Sequence, residues 1–175
     1  RILRQFAGTV VANGDCDIDG LDGGTTGFVR QMFNANELPT DEAICCWGDE
    51  GIPAFNYGQW GASHPMLRGL YNRLYFGVTI CNFYLEEAGE YNETMTAEVR
   101  FLRALYYYHL MDCFGNIPFL TVVSSEPAPQ ATRQEVYNFI ESELLDIEGT
   151  MSAPMTGTYG RADQAAAWML LARLY

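Results

Sequence analysis

Apolar positions fall into two regimes along the chain. From about Pro65 onward they recur at helical spacing; before that they do not, except at the start, where Ile2, Leu3, Phe6 and Val10 predict a short helix over 1–12. Leu67, Leu70, Tyr71, Leu74, Val78, Cys81, Leu85 and Ala88 form one stripe at i, i+3, i+4 steps, closed by Gly89. A second helix is expected from about Thr96 to Phe114. It is apolar on nearly every side (Val99, Phe101, Leu102, Ala104, Leu105, Tyr106, Tyr108, Leu110, Met111), which predicts a central helix packed all round. Gly115 and Pro118 end it. Thr132-Arg133-Gln134-Glu135 reads as a capping box that starts a third helix, with Val136, Ile140, Leu144 and Ile147 as its stripe. A fourth begins near Arg161, where Ala165, Ala166 and Ala167 give a face small enough for close helix approach.

Short loops between these helices predict an all-α architecture of stacked antiparallel pairs over 66–175. Corresponding helices start about 66 residues apart, near twice a tetratricopeptide repeat, so the stack is expected to be repeat-like with long helices. Residues 13–65 show no sustained period and are expected to be a long irregular loop region. Their aromatics (Phe28, Phe33, Trp47, Phe55, Tyr57, Trp60) argue against disorder, because such side chains need burial or a ligand. No stop signal precedes Tyr175, so the 175 residues are expected to be part of a longer chain.

Charge narrows the partners. With 22 acidic and 10 basic residues the net charge is −12, which disfavours a phosphate backbone, so no nucleic acid is expected. No apolar run is long enough to span a bilayer as a helix. The five cysteines show no CxxC spacing; Cys81 and Cys113 fall in apolar helical patterns and read as buried, and the adjacent Cys45 and Cys46 are poorly placed for a disulfide. Catalysis finds little support. Asp41-Glu42, Asp49-Glu50 and Glu86-Glu87 are neighbours in sequence and do not converge on one bond. His109 reads as a core residue and His64 as structural or exposed, and the glycines from Gly20 to Gly27 lack a phosphate-loop pattern. Asp15, Asp17 and Asp19, followed by Gly20, copy the first half of a calcium loop, but the twelfth position is Thr26 and not a bidentate Glu, so no cofactor is expected and calcium is a minor alternative. Arg100 and Arg103 sit in the apolar second helix and are expected to pair with acids of a neighbour.

Four separated segments carry a resemblance. They are Phe33-Asn34-Ala35-Asn36-Glu37-Leu38-Pro39-Thr40-Asp41-Glu42, Ala97-Glu98-Val99-Arg100-Phe101-Leu102-Arg103-Ala104-Leu105-Tyr106-Tyr107-Tyr108, Phe114-Gly115-Asn116-Ile117-Pro118-Phe119, and Gly160-Arg161-Ala162-Asp163-Gln164-Ala165-Ala166-Ala167-Trp168. In this order they resemble the SusD/RagB family of outer-membrane nutrient-binding lipoproteins of the Bacteroidetes, and most of all its starch-binding branch. The resemblance implies a tetratricopeptide-type helical scaffold at the extracellular face of the outer membrane. It implies an N-terminal lipid anchor absent from this chain, non-catalytic glycan binding, and delivery to a SusC-like TonB-dependent transporter. The chain would be the N-terminal portion of such a protein.

Residue by residue, the resemblance carries over Arg30, from Gly27-Phe28-Val29-Arg30, and Trp47, after Thr40-Asp41-Glu42. Two positions depart: Cys45 stands where the branch has a second Trp, and Glu50 where it has an Asn. The first shortens a stacking surface and the second removes hydrogen-bond donors. Sugars offer apolar C–H faces rimmed by hydroxyls, which suits a flat indole beside planar polar groups. Arg30, Trp47, Glu50 and Trp60, with Tyr57 nearby, are therefore the candidate carbohydrate-binding residues. The alternative is a helical-repeat scaffold that docks another protein and has no sugar site.

Overall fold

The computed structural model describes residues 16–175; the helix expected over 1–12, and Asp15, lie outside the described residues. Over the described residues the protein is helical apart from one short ribbon and turns. Its helices are α1 (Phe28–Glu37), α2 (Ile52–Asn56), α3 (Pro65–Ala88), α4 (Glu93–Phe114), α5 (Arg133–Ile147) and α6 (Gln164–Leu174), with strands β1 (Ile117–Pro118) and β2 (Gln130–Ala131) between α4 and α5. The chain divides into two compact units, one through Phe76 and one from Gly77 to Tyr175, so that α3 contributes a half to each.

In the first unit, residues expected to be irregular contain α1 and α2. The helical period of α1 is hidden because its buried positions are Gln31 and Asn34, while Val29 and Phe33 point outward at 67% and 52% exposure. Polar contacts hold the buried side. Gln31 donates from Nε2 to the Thr25 carbonyl at 2.6 Å and lies 3.1 Å from Met66 Sδ. A small apolar cluster follows, built from Leu38, Ile52, Phe55 and Met66, with Ala43, Cys45 and Leu67 against it. Gly51, at φ 93°, turns the chain into α2, and a Cβ there would come 2.9 Å from the His64 ring. His64 itself is buried: the Leu67 N–H donates to Nδ1 (3.4 Å), so Nε2 carries the proton it shares with the Gly51 carbonyl (3.0 Å).

On α3, Arg73 is fully buried. Its Nη1 donates to Asp17 Oδ1 at 2.7 Å, Nε to the Thr26 carbonyl at 3.2 Å and Nη2 to Cys16 Sγ at 3.3 Å. One guanidinium thus ties residues 16–26 down by hydrogen bonds.

The second unit follows its hydrophobic pattern. Val78 and Cys81 of α3 are buried, as are Val99, Phe101, Leu102, Ala104, Tyr106, Tyr107, Leu110 and Met111 of α4, and Val136, Ile140, Leu144 and Ile147 of α5. Helix α4 packs against both α5 and α6, the central position its all-round apolar surface predicts. Its contacts with α5 run from Arg100 with Asp146 to Arg133 with Met111, which makes the pair antiparallel. Gly77 lets α3 approach α4: a Cβ there would run into the Tyr106 ring.

Helix starts differ slightly from expectation. Helix α4 begins at Glu93, because Asn92 Oδ1 accepts from the Met95 N–H at 2.8 Å. Helix α6 begins after Asp163, whose carboxylate accepts from the Ala166 N–H, while Arg161 is paired with Glu98. The capping box at Thr132 and Glu135 is present as expected. So is the pairing of the two arginines of α4. Arg100 binds Glu143 and Asp146 at 2.7 Å, and Arg103 binds Glu143 at 2.9 Å. Burial raises the Glu143 carboxyl, but hydrogen bonds from both arginines outweigh it and hold the group below the usual carboxylate range.

Candidate glycan-binding site

The site is built on the first unit by two stretches of backbone. Helix α1 carries Arg30 in its first turn. The extended segment 43–47 carries Trp47, with Ala43 and Cys45 turned toward the apolar cluster and Ile44 and Cys46 turned to solvent. Asn56 of α2 fixes this segment by donating from Nδ2 to the Cys45 carbonyl at 2.8 Å. The half-burial of Cys45 explains that departure locally: its side chain packs inward and leaves Trp47 as the exposed aromatic of the segment.

Arg30 and Trp47 come together. The guanidinium carbon lies 5.1 Å from the centroid of the Trp47 ring, a cation–π contact, and Trp47 is still 63% exposed. Two partners hold the guanidinium. Nη2 donates to Asp49 Oδ2 at 2.9 Å and Nη1 to the Gly24 carbonyl at 2.9 Å. The result is an indole at the surface backed by a cation whose rotamer is fixed from two sides, with further N–H groups of its five still to spend.

The other candidates stand differently. Glu50 is exposed on the turn into α2, directly after Asp49. Trp60 packs edge-on against buried Phe55, with centroids 5.9 Å apart and planes at 60°, and is about half exposed. Tyr57 is exposed at the end of α2. Among the described residues no hydrogen bond or ring contact joins Trp60 or Tyr57 to the Arg30–Trp47 pair. Of the calcium candidates, Asp17 gives a carboxylate oxygen to Arg73 and Asp19 is exposed. Among the described residues no group of three acids, His or Cys is placed to hold a metal ion.

Sequence reasoning missed Asp49 and Gly24, the two groups that position Arg30. Asp49 was visible only as one of several acidic doublets; its partner lies 19 residues away and is defined by the fold. It also missed Arg73, whose setting inside an apolar stripe was the available signal.

A profile of the SusD-like family, described as starch-binding and associating with the outer membrane, matches residues 55–175. The starch-binding protein SusD of Bacteroides thetaiotaomicron is 40% identical over 168 residues, covering 93% of this chain and 30% of that protein. Two solved structures extend the likeness to the fold. A SusD superfamily protein from Parabacteroides distasonis aligns with a TM-score of 0.71 at 28% identity, over 79% of this chain and 32% of that one. Surface glycan-binding protein A from Bacteroides fluxus aligns with a TM-score of 0.60 at 28% identity, over 71% of this chain and 28% of that one. The chain belongs to the SusD-like family. It spans 30% of the length of the curated relative it matches.

Proposed function

We propose that this chain is the N-terminal, glycan-contacting portion of a non-catalytic nutrient-binding protein. Residues 13–65 supply the sugar contacts and residues 66–175 the helical scaffold. The whole protein would sit at the extracellular face of the outer membrane on a lipid anchor and pass bound oligosaccharide to a SusC-like TonB-dependent transporter. Membership of the SusD-like family supports the surface and glycan parts of this reading.

The observation that carries it is the Arg30–Trp47 pair. A ring open to solvent is what a pyranose C–H face requires, and a guanidinium held against that ring can donate to the hydroxyls at its rim without losing its place. Glu50, beside Asp49, would accept from sugar hydroxyls where an amide would both accept and donate.

Affinity electrophoresis of the intact protein through starch and a panel of other polysaccharides tests this. Retardation by a cognate glycan is expected to vanish in Trp47→Ala and to fall at least tenfold in Arg30→Ala, with a smaller loss in Trp60→Ala. Retardation unchanged in Trp47→Ala overturns the site.

One observation favours a second reading, protein docking. Ala165, Trp168, Met169 and Ala172 are exposed on one face of α6, an apolar stripe of the kind another helix covers. If docking were the whole function, no glycan would retard the protein.

A further inference from the structure

The second unit contains a cleft of about 660 Å³ between the start of α4 and the segment that leads from α5 into α6. Its size falls within the roughly 300–1,000 Å³ common among small-molecule sites. We propose that it is a second carbohydrate-binding site, separate from the Arg30–Trp47 pair and able to take a neutral oligosaccharide in its absence.

Three observations carry this. The first is charge. The acid and base that line the cleft neutralise each other: Arg161 makes a bidentate pair with Glu98, whose Oε1 also accepts from the Ala162 N–H at 3.1 Å. Asp163 spends its carboxylate on the N–H groups of Met155 (3.0 Å) and Ala166 (3.2 Å). What the cleft offers a ligand is the neutral hydroxyls and amide of Thr94, Ser152, Thr158 and Asn92. Such a lining suits a polyhydroxyl ligand and gives a phosphate or carboxylate no counter-ion.

The second is the apolar surface. Tyr159 is fully exposed at the cleft, and Met95 and Met155 flank it. A phenol ring and two thioethers cover sugar C–H faces, while the hydroxyls take the rim.

The third is backbone strain. Met155 has φ 62°, a left-handed conformation that costs an unbranched side chain free energy, and it stands 96% exposed. The Asp163 carboxylate holds its N–H and so keeps it there. The fold spends a carboxylate to hold an apolar side chain out in solvent over a cleft, and packing gives no reason for that.

The test uses the intact protein and titration with maltoheptaose and laminarihexaose, oligomers of glucose in two linkages. Trp47→Ala removes the first site and exposes the second. Residual binding of at least one oligomer is expected in Trp47→Ala, falling at least tenfold when Tyr159→Ala or Met155→Gly is added. Glycine suits φ 62°, so Met155→Gly should keep or raise the melting temperature, which separates a binding loss from unfolding. The proposal is overturned if Trp47→Ala binds neither oligomer at millimolar concentration, or if both double variants bind within twofold of Trp47→Ala. It is also overturned if the cleft binds an apolar peptide and neither sugar. Should Trp47→Ala alone leave affinity unchanged while Tyr159→Ala abolishes it, the Arg30–Trp47 reading fails and this one stands.

Discussion

The largest fully buried side chain in residues 16–76 is a charged one, Arg73, whereas residues 77–175 bury Tyr106, Tyr107, Leu110, Ile140 and Leu144 to the same degree. The first unit keeps its loops in place through long polar side chains that reach backbone carbonyls: Arg73 to Thr26, Arg68 to Gly20, Arg30 to Gly24, Asn56 to Cys45. The second packs apolar stripes and adds ion pairs at α4, Arg100 and Arg103 with acids of α5 and Glu98 with Arg161. Hydrogen bonds hold the first unit's loops beside its small apolar cluster, and several of its large apolar side chains lie outside that cluster. Val29, Phe33, Ile44, Trp47 and Tyr57 all stand in solvent.

Three measurements would break or sharpen this contrast. The largest effect is expected from Arg73→Ala, which removes a buried guanidinium that donates to the Asp17 carboxylate and the Thr26 carbonyl. A loss of about 3 kcal/mol or more is expected in urea denaturation, with new proteolytic cleavage confined to 16–26. A loss below about 1 kcal/mol would mean that apolar contacts hold the first unit after all.

Next comes acid sensitivity in the second unit. Burial pushes His109 down from 6.5 to about 4; nearby Asp112 pulls it up and Arg173 pushes it down further. The unfolded chain takes up this proton below about pH 6.5 and the folded chain only near pH 4. Stability from His109 is therefore complete above pH 6.5 and drains away as pH falls from 6.5 to 4, by at most about 3 kcal/mol. Glu143, held below the usual carboxylate range, loses its contribution at still lower pH, in the same direction. His109→Gln should flatten the slope between pH 6.5 and 4; an unchanged slope would locate the sensitivity elsewhere.

The smallest effect is expected at the outward face of α1. Val29→Ser with Phe33→Ser should change stability by no more than about 0.5 kcal/mol, measured by thermal melting. A loss above about 2 kcal/mol would show that this face is packed.

The same contrast explains what could be read in advance. The stripes of α3 and α5 and the central place of α4 are hydrophobic-pattern signals, the capping box at Thr132 is a local polar one, and the unit from Gly77 obeys both kinds. Helix α1 obeys a pattern of the opposite sense, with Gln31 and Asn34 inside, so hydropathy alone left it invisible. Helix α4 starts a turn earlier than the apolar residues suggest, because the signal at Asn92 is a single side-chain hydrogen bond. Trp47 and Arg30 were reachable through family resemblance. Asp49, which aims the guanidinium, was not, since a carboxylate 19 residues away becomes a partner only through the tertiary fold.

Tyr107 has a consequence of its own. Its hydroxyl donates to the Leu120 carbonyl at 2.6 Å and accepts from the Leu120 N–H at 3.0 Å, and burial pushes the phenol up to about 12, so the proton stays in place. One oxygen thereby serves both backbone polar groups of one residue, as a neighbouring strand would. The chain is clamped there at the end of the short β1–β2 ribbon, which decouples the length of the connection further along from the alignment of the helices on either side.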